Sequence, residues 1–294
     1  MHTDGPVVVA IDGSEHSAQT VAWGADVALG RGAALLLAHA YRDPREATTW
    51  GWYPVVLDAD DLEAEAVRAV RELRNKVRAN HPDLAVEARV VHGATVPALR
   101  ELSDEARVLV VGARGTAGRP GIGPVAAHLV THARCPVLVA RTPAPGDDDL
   151  PVVVGVDGSA ASVDAAHLAA REARHRGAVL RVVHARPAHG PFGTGGRPAT
   201  DLRDREDPAQ AAAWRLAEDV VAAHPGVDVE LVLCDDDPVP TLLAESRSAQ
   251  LVVVGSRGLG VFRGMLLGAV SAEVARSASC SVLVLRDGTE RASG

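Results

Sequence analysis

Short runs of β-branched residues and leucine alternate along this chain with alanine-rich stretches whose apolar positions recur at helical spacing. In the first half the strand-like runs read VVVAI, ALLLAHA, EARVV, RVLVVG and VLVAR, and the spacing between them predicts helices over 17–30, 62–80, 96–106 and 125–133. The second half repeats the alternation, with helices predicted over 162–176, 208–224, 239–248 and 269–277. Runs that are apolar at consecutive positions have no solvent face, so they belong to strands covered on both sides. Intervening helices supply the crossovers that parallel pairing needs. The expected fold class is α/β: two tandem Rossmann-like domains, each a five-stranded, mostly parallel sheet with helices on both faces. In such sheets a ligand sits beyond the carboxyl ends of the strands, where the winding reverses.

The two halves are copies of one another. VVVAIDGSEHSA from Val7 returns as VVVGVDGSAASV from Val152, an offset of 145 residues. VLVVGARG from Val108 returns as LVVVGSRG from Leu251, an offset of 143, and RCPVLVAR from Arg134 returns as SCSVLVLR from Ser279 at 145 again. The order is colinear, so the domains stand in tandem. Between them TPAPGDDDLP carries no apolar period and reads as a linker, which places the boundary near 145 and the domains at 1–143 and 150–288. The last strand of each copy, VLVAR or VLVLR, follows its helix directly. Pairing of these two strands is expected to join the copies.

Composition narrows the function classes. Of 294 residues, 47% are hydrophobic and 23% charged, the balance of a folded globular protein. A net charge of −8 offers no basic surplus, which argues against nucleic acid and anionic membrane surfaces as partners. The opening MHTDGPVVVAIDGS has no basic, then apolar, leader, and no run reaches bilayer length, so a cytoplasmic protein is expected. Cys135, Cys234 and Cys280 form no C-x-x-C, which disfavours zinc and disulfides. Cys135 and Cys280 precede matching apolar runs and are expected to be buried.

The strongest chemical feature is Gly255-Ser256-Arg257-Gly258, between the strand LVVV and a helix that begins near Gly268. The first amides of a helix have no partner within it and the dipole is positive there, while glycines let oxygens approach the backbone. Ser256, Ser271 and Arg257 could add donors. A tight loop that merely satisfies turn geometry is the plainer alternative. Asp157-Gly158-Ser159 and its counterpart Asp12-Gly13-Ser14 end the first strand of each copy. Either aspartate could accept hydrogen bonds from a ribose or form an Asx turn or helix cap, and the sequence leaves both open.

Other signals are weaker. No G-x-x-x-x-G-K-[ST] occurs and Lys76 is the one lysine, which excludes a Walker-type NTPase. Gly121 to Ala126 fits G-x-G-x-x-A in letters without directly following a strand. His128 and His132 lie four apart but have no third ligand, so an ordinary helix face is favoured over a metal site. His39 and His184 recur at the end of the second strand, for a shared structural role or for contact with a nucleotide edge. Trp50, Trp52 and Tyr53 gather in one loop and read as packing over the neighbouring helix, with a cleft cover or interface as alternatives. No G-x-S-x-G elbow and no acid pair appears, so binding without efficient turnover is expected rather than an enzyme.

On these motifs the chain resembles tandem-domain universal stress proteins of the ATP-binding subclass, over nearly its whole length. That family's mark is G-x2-G-x9-G-[ST] after the fourth strand, with an aspartate after the first. Gly255, Gly258 and Gly268 match it, with Ala269 where Ser or Thr is expected and Ser271 at a further hydroxyl position. The resemblance implies that Asp157 holds the ribose, that the backbone around Ala185 meets adenine, and that Gly258, Gly268, Ala269, Val270 and Ser271 surround the phosphates of ATP with Mg²⁺. Gly155, Val156, Gly255 and Arg257 complete the set. It also implies a regulatory, stress-response role, a homodimer, and nucleotide-dependent assembly or partner choice.

The first copy offers Asp12, Ala40, Gly112, Arg114, Gly115 and Gly123 at the equivalent places, but only seven residues separate Gly115 from Gly123. Pro124 has no N–H and Ala126 replaces Ser271, so phosphate donors are lost. One good nucleotide site, in the second copy, is expected. A scaffold of the same fold that has lost nucleotide binding and an adenylating enzyme are the competing readings.

Overall fold

The computed structural model describes residues 5–14, 16–41, 59–113, 121–141, 150–186, 208–259 and 266–286. The chain divides into two compact units, Met1–Ala140 and Arg141–Gly294. The aromatic cluster at Trp50, Trp52 and Tyr53 lies outside the described residues.

In the first unit β1 (Val7–Ile11), α1 (Ser17–Arg31), β2 (Leu35–Tyr41), α2 (Ala59–Asn80) and β3 (Val86–His92) are followed by α3 (Thr95–Leu102), β4 (Val108–Gly112), α4 (Pro124–His132) and β5 (Val137–Ala140). Its strands lie in the order β3-β2-β1-β4-β5, every neighbour parallel. The second unit repeats this as β6 (Val152–Gly155), α5 (Ala160–Arg176), β7 (Leu180–Ala185), α6 (Pro208–Ala223), β8 (Val229–Cys234), α7 (Pro238–Glu245), β9 (Leu251–Gly255), α8 (Ala269–Ser277) and β10 (Ser281–Leu285). Its order is β8-β7-β6-β9-β10, again all parallel. The winding therefore reverses between β1 and β4, and between β6 and β9. In each unit the first two helices touch each other and the last two touch each other, covering the two faces of the sheet.

The cores follow from the sequence pattern. From Val108 to Val111 no residue is more than 2% exposed, and the same holds from Val152 to Val154, because helices cover both faces of these central strands. In β3, by contrast, half-buried and exposed positions tend to alternate, as in a strand with one wet face. Cys135 and Cys280 are buried ahead of β5 and β10, and burial pushes both thiols up to about 12, far from nucleophilic thiolates. All three cysteines are free.

Two helices end earlier than their apolar period suggests, at Leu102 rather than 106 and at Glu245 rather than 248, where a 3₁₀ turn, Ser246–Ser248, follows. The cause is the same in both. The Ser103 hydroxyl donates to the Arg100 carbonyl at 2.5 Å and accepts the Arg134 amide at 3.0 Å. Ser246 donates to Leu243 at 2.8 Å and accepts the Ser279 amide at 3.0 Å. Each serine is 1% exposed and ties a helix end to the turn that launches the last strand. Replacing Ser103 or Ser246 by Ala removes both bonds of the hydroxyl and takes the acceptor from an amide. Each change is expected to destabilise its own copy by about 1–3 kcal/mol in denaturant unfolding, well above the effect of an exposed serine.

Candidate functional site

At the carboxyl ends of β6 and β9 the strand tips open into a pocket of about 250 Å³. Gly155, Val156 and Asp157 come from the end of β6, Ala185 from β7, Gly255, Arg257 and Gly258 from the end of β9, and Gly268, Ala269, Val270 and Ser271 from the start of α8. The switch point thus gathers the second-copy set from Gly155 to Ser271 named for the nucleotide, while Ser256, also expected to offer a donor, is buried and does not line the pocket. Val183, Val254, Pro238 and Leu242 add an apolar wall, and Ser162 stands at the first turn of α5.

Leu242 reaches this wall because residue 155 is glycine: a Cβ there would lie 2.9 Å from the Leu242 Cδ1. The sequence marks Leu242 only as an apolar helix position, and nothing in its period separates a pocket wall from a core. Ser162 did leave a signal, since it repeats Ser17 at the 145 offset.

The phosphate-suited end is built by backbone. Gly268 caps α8 in extended conformation with no side-chain cap, so the amides of Ala269, Val270 and Ser271 precede the first bond of the helix ladder, from Ala272 to the Gly268 carbonyl at 2.9 Å. The turn after β9 is closed at its neck, where the Gly268 N–H donates to the Ser256 carbonyl at 2.7 Å. Ser271 departs from the expected role. Its hydroxyl donates to the Gly255 carbonyl at 2.6 Å, so its proton goes to the strand end rather than into the pocket. Ser271 straps α8 to β9 and can offer a ligand its amide. Arg257 is exposed beside the turn.

Asp157 forms the Asx turn that the sequence left open: its Oδ1 accepts the Ser159 N–H at 3.0 Å. Ser159 itself caps α5, accepting the Ser162 amide at 3.2 Å. The Asp157 Oδ2 accepts the Leu259 N–H at 2.9 Å. Burial alone would raise this half-buried carboxyl, but hydrogen bonds from Ser159 and from the Leu259 amide outweigh it and hold the group below the usual carboxylate range. It therefore faces the pocket ionised, with lone pairs left to accept ligand hydroxyls.

His184 and His39 share one structural bond. Each Nδ1 meets the carbonyl of the residue before the site aspartate, His184 to Val156 at 3.0 Å and His39 to Ile11 at 2.9 Å. A carbonyl only accepts, so Nδ1 carries the proton in both. His128 and His132 stack at 4.1 Å, with the His132 Nδ1–H donating to the His128 carbonyl at 3.1 Å. Among the described residues no group of three metal-ligating side chains occurs.

In the first copy Asp12 follows β1 and makes the same Asx turn, accepting the Ser14 amide at 3.0 Å and the Ser17 hydroxyl at 3.1 Å. Ala40 lies near the end of β2, Gly112 ends β4 and Gly123 caps α4. The neck recurs, from the Gly123 N–H to the Ala113 carbonyl at 2.7 Å. Pro124 opens α4 without an N–H, and Ala126, where the second copy has Ser271, provides no strap. Arg114 and Gly115 lie outside the described residues.

The depressed Asp157 pKa fixes the sign of a pH effect. A carboxylate favoured in the folded state adds stability that is complete above the ordinary carboxylate range and lost as pH falls through its lowered value. In urea unfolding, the stability gap between the wild type and Asp157→Asn should stay constant from neutral pH to about pH 4 and narrow below it. A gap that is flat down to pH 2 would contradict this.

The sequence profile of the universal stress protein family matches residues 5–141 and again residues 150–286. Universal stress protein Rv2005c of Mycobacterium tuberculosis is 35% identical over 300 residues, covering 95% of this chain and 96% of its own length. Universal stress protein Rv2623 of the same organism is 35% identical over 304 residues, covering 96% of each. Among solved structures, a universal stress protein from Archaeoglobus fulgidus aligns with a TM-score of 0.69 over 96% of this chain and 98% of that one, at 19% identity, which is a likeness of fold. With the profile matched once per unit and relatives aligned end to end, this chain belongs to the universal stress protein family, as two family domains in tandem.

Proposed function

We propose that the second copy binds an adenine nucleotide, ATP with Mg²⁺, and that the protein acts through binding rather than turnover. The observation that carries this is the convergence, in one pocket, of an apolar slot, an ionised carboxylate and an uncapped helix start. Val183, Leu242 and Val254 suit the faces of a base, the Asp157 carboxylate suits sugar hydroxyls, and the amides of α8 suit phosphate oxygens. Ligand phosphates would bring Mg²⁺ as their counter-ion, since the described residues contain no cluster to hold it. Among the described residues the pocket presents no positioned nucleophile and no acid–base pair, which favours a binding role over hydrolysis. The wider reading is a cytoplasmic regulator, dimeric, whose nucleotide state alters assembly or partner choice. No helix among the described residues is long and apolar enough to cross a membrane.

The copies are proposed to be unequal. Pro124 takes one amide from the first helix start, the ring after β4 is two residues shorter, and no hydroxyl straps α4 to β4. Losing the Pro124 hydrogen bond to a charged oxygen, at about 1.5–3 kcal/mol, lowers affinity by roughly ten- to a hundredfold and takes a micromolar site toward the millimolar range.

Mass spectrometry of the gently purified protein should find about one retained ATP per chain. No ATP even after addition with Mg²⁺ would favour the scaffold reading, to which Ala269 at the expected hydroxyl position points, and released AMP would favour an adenylating enzyme. Gly268→Asp provides the sharper test. Aspartate is a good helix cap, so the fold should hold, while its charge stands where phosphates would bind. ATP affinity should fall by roughly a hundredfold or more, whereas Gly123→Asp should leave it within about threefold. Equal losses in calorimetry would overturn the asymmetry.

A further inference from the structure

The Asp157 carboxylate reaches across the sheet end to a turn 102 residues later in the chain. Its Oδ2 accepts the Leu259 N–H at 2.9 Å while Oδ1 keeps the Asx turn at 3.0 Å. The fit is close: a Cβ on Gly258 would lie 2.2 Å from Oδ2, so the carboxylate is seated in the hollow of the Arg257–Leu259 turn and only glycine leaves room for it. The Leu259 side chain is 74% exposed, so apolar packing does not hold this part of the turn. The backbone is anchored before it, where the Ser256 N–H donates to the Leu285 carbonyl at 2.7 Å, and after it at the Gly268 neck. Between those anchors, the Asp157 carboxylate is what ties Leu259 to the end of β6.

A ribose contact does not require such a bond. A carboxylate that only received sugar hydroxyls would keep both oxygens toward the ligand. Here one oxygen is committed to the backbone of the element that borders the phosphate end of the pocket. We propose that Asp157 is a positioning residue: it latches the Arg257–Leu259 turn against the end of β6 and so sets the opening through which phosphate oxygens reach the first turn of α8. The consequence for ligands rests on the nucleotide reading above. The latch itself does not.

The test uses the full-length protein, Asp157→Ala and the near-isosteric Asp157→Asn. Hydrogen exchange followed by mass spectrometry, without nucleotide, reads the Leu259 amide. The expected result is exchange about tenfold faster or more in the alanine variant and an intermediate rate in the asparagine variant, which keeps a neutral acceptor. Protection in β6 and β9 should be unchanged, showing the fold intact. Calorimetry with tripolyphosphate and with adenosine then separates the roles. A latch predicts weaker tripolyphosphate binding, by about tenfold, although that probe carries no ribose. Loss of adenosine affinity alone, with Leu259 exchange and tripolyphosphate binding unchanged, would overturn the proposal and leave Asp157 as a sugar contact. Quickened exchange in a protein whose wild type binds neither probe would uphold the latch and defeat the nucleotide reading.

Discussion

Parallel strands buried on both faces impose the constraint from which the rest of this structure follows. Each connection must cross a face of the sheet, and the order 3-2-1-4-5 within a unit sends the first two crossovers over one face and the last two over the other. The chain leaving the first strand and the chain leaving the fourth therefore part in opposite directions. Between them, strand ends and helix starts face a gap that no crossover fills. Backbone amides and short side chains have to supply its walls. In the second unit they do so with Asp157, Gly258 and the start of α8.

Much of this was legible because it rests on period and repetition. Buried strands need consecutive apolar residues, and the duplication showed which features recur. The glycines after β9 and the aspartate after β6 could be placed at a site because strand, turn and helix follow each other directly in sequence. What stayed hidden depends on directions in space. A serine on the first turn of a helix can point its proton at a ligand or at a neighbouring carbonyl, and no pattern decides that Ser271 takes Gly255. Likewise Asp157 was readable as a turn former or a ligand acceptor, and its bond to Leu259 spans too much chain for any local motif to encode. The early helix ends failed for a related reason: the apolar period continues past Ser103 and Ser246, and the hydroxyls that stop the helices act through residues far along the chain.

Duplication normally preserves what packing requires and releases what only a ligand requires. The buried serines, the equivalent cysteines Cys135 and Cys280, and the histidines behind the site aspartates are kept in both units. The differences gather at the helix start and the turn before it, at Pro124 and Ala126 against Ala269 and Ser271. Pro124 removes an amide from the helix start, whereas Ala126 removes the hydroxyl strap between helix and strand end that Ser271 makes in the second unit.

The neck bonds make that freedom inexpensive. With Gly123 tied to Ala113 and Gly268 tied to Ser256, both at 2.7 Å, the intervening chain forms a side ring of nine residues in one copy and eleven in the other. Closure entropy grows only with the logarithm of ring length, so two residues more or less change it by roughly 0.2 kcal/mol. An insertion there is absorbed inside the ring and does not shift the register of the helix beyond it. Ring length can therefore differ between the copies at little cost to the stability of its host.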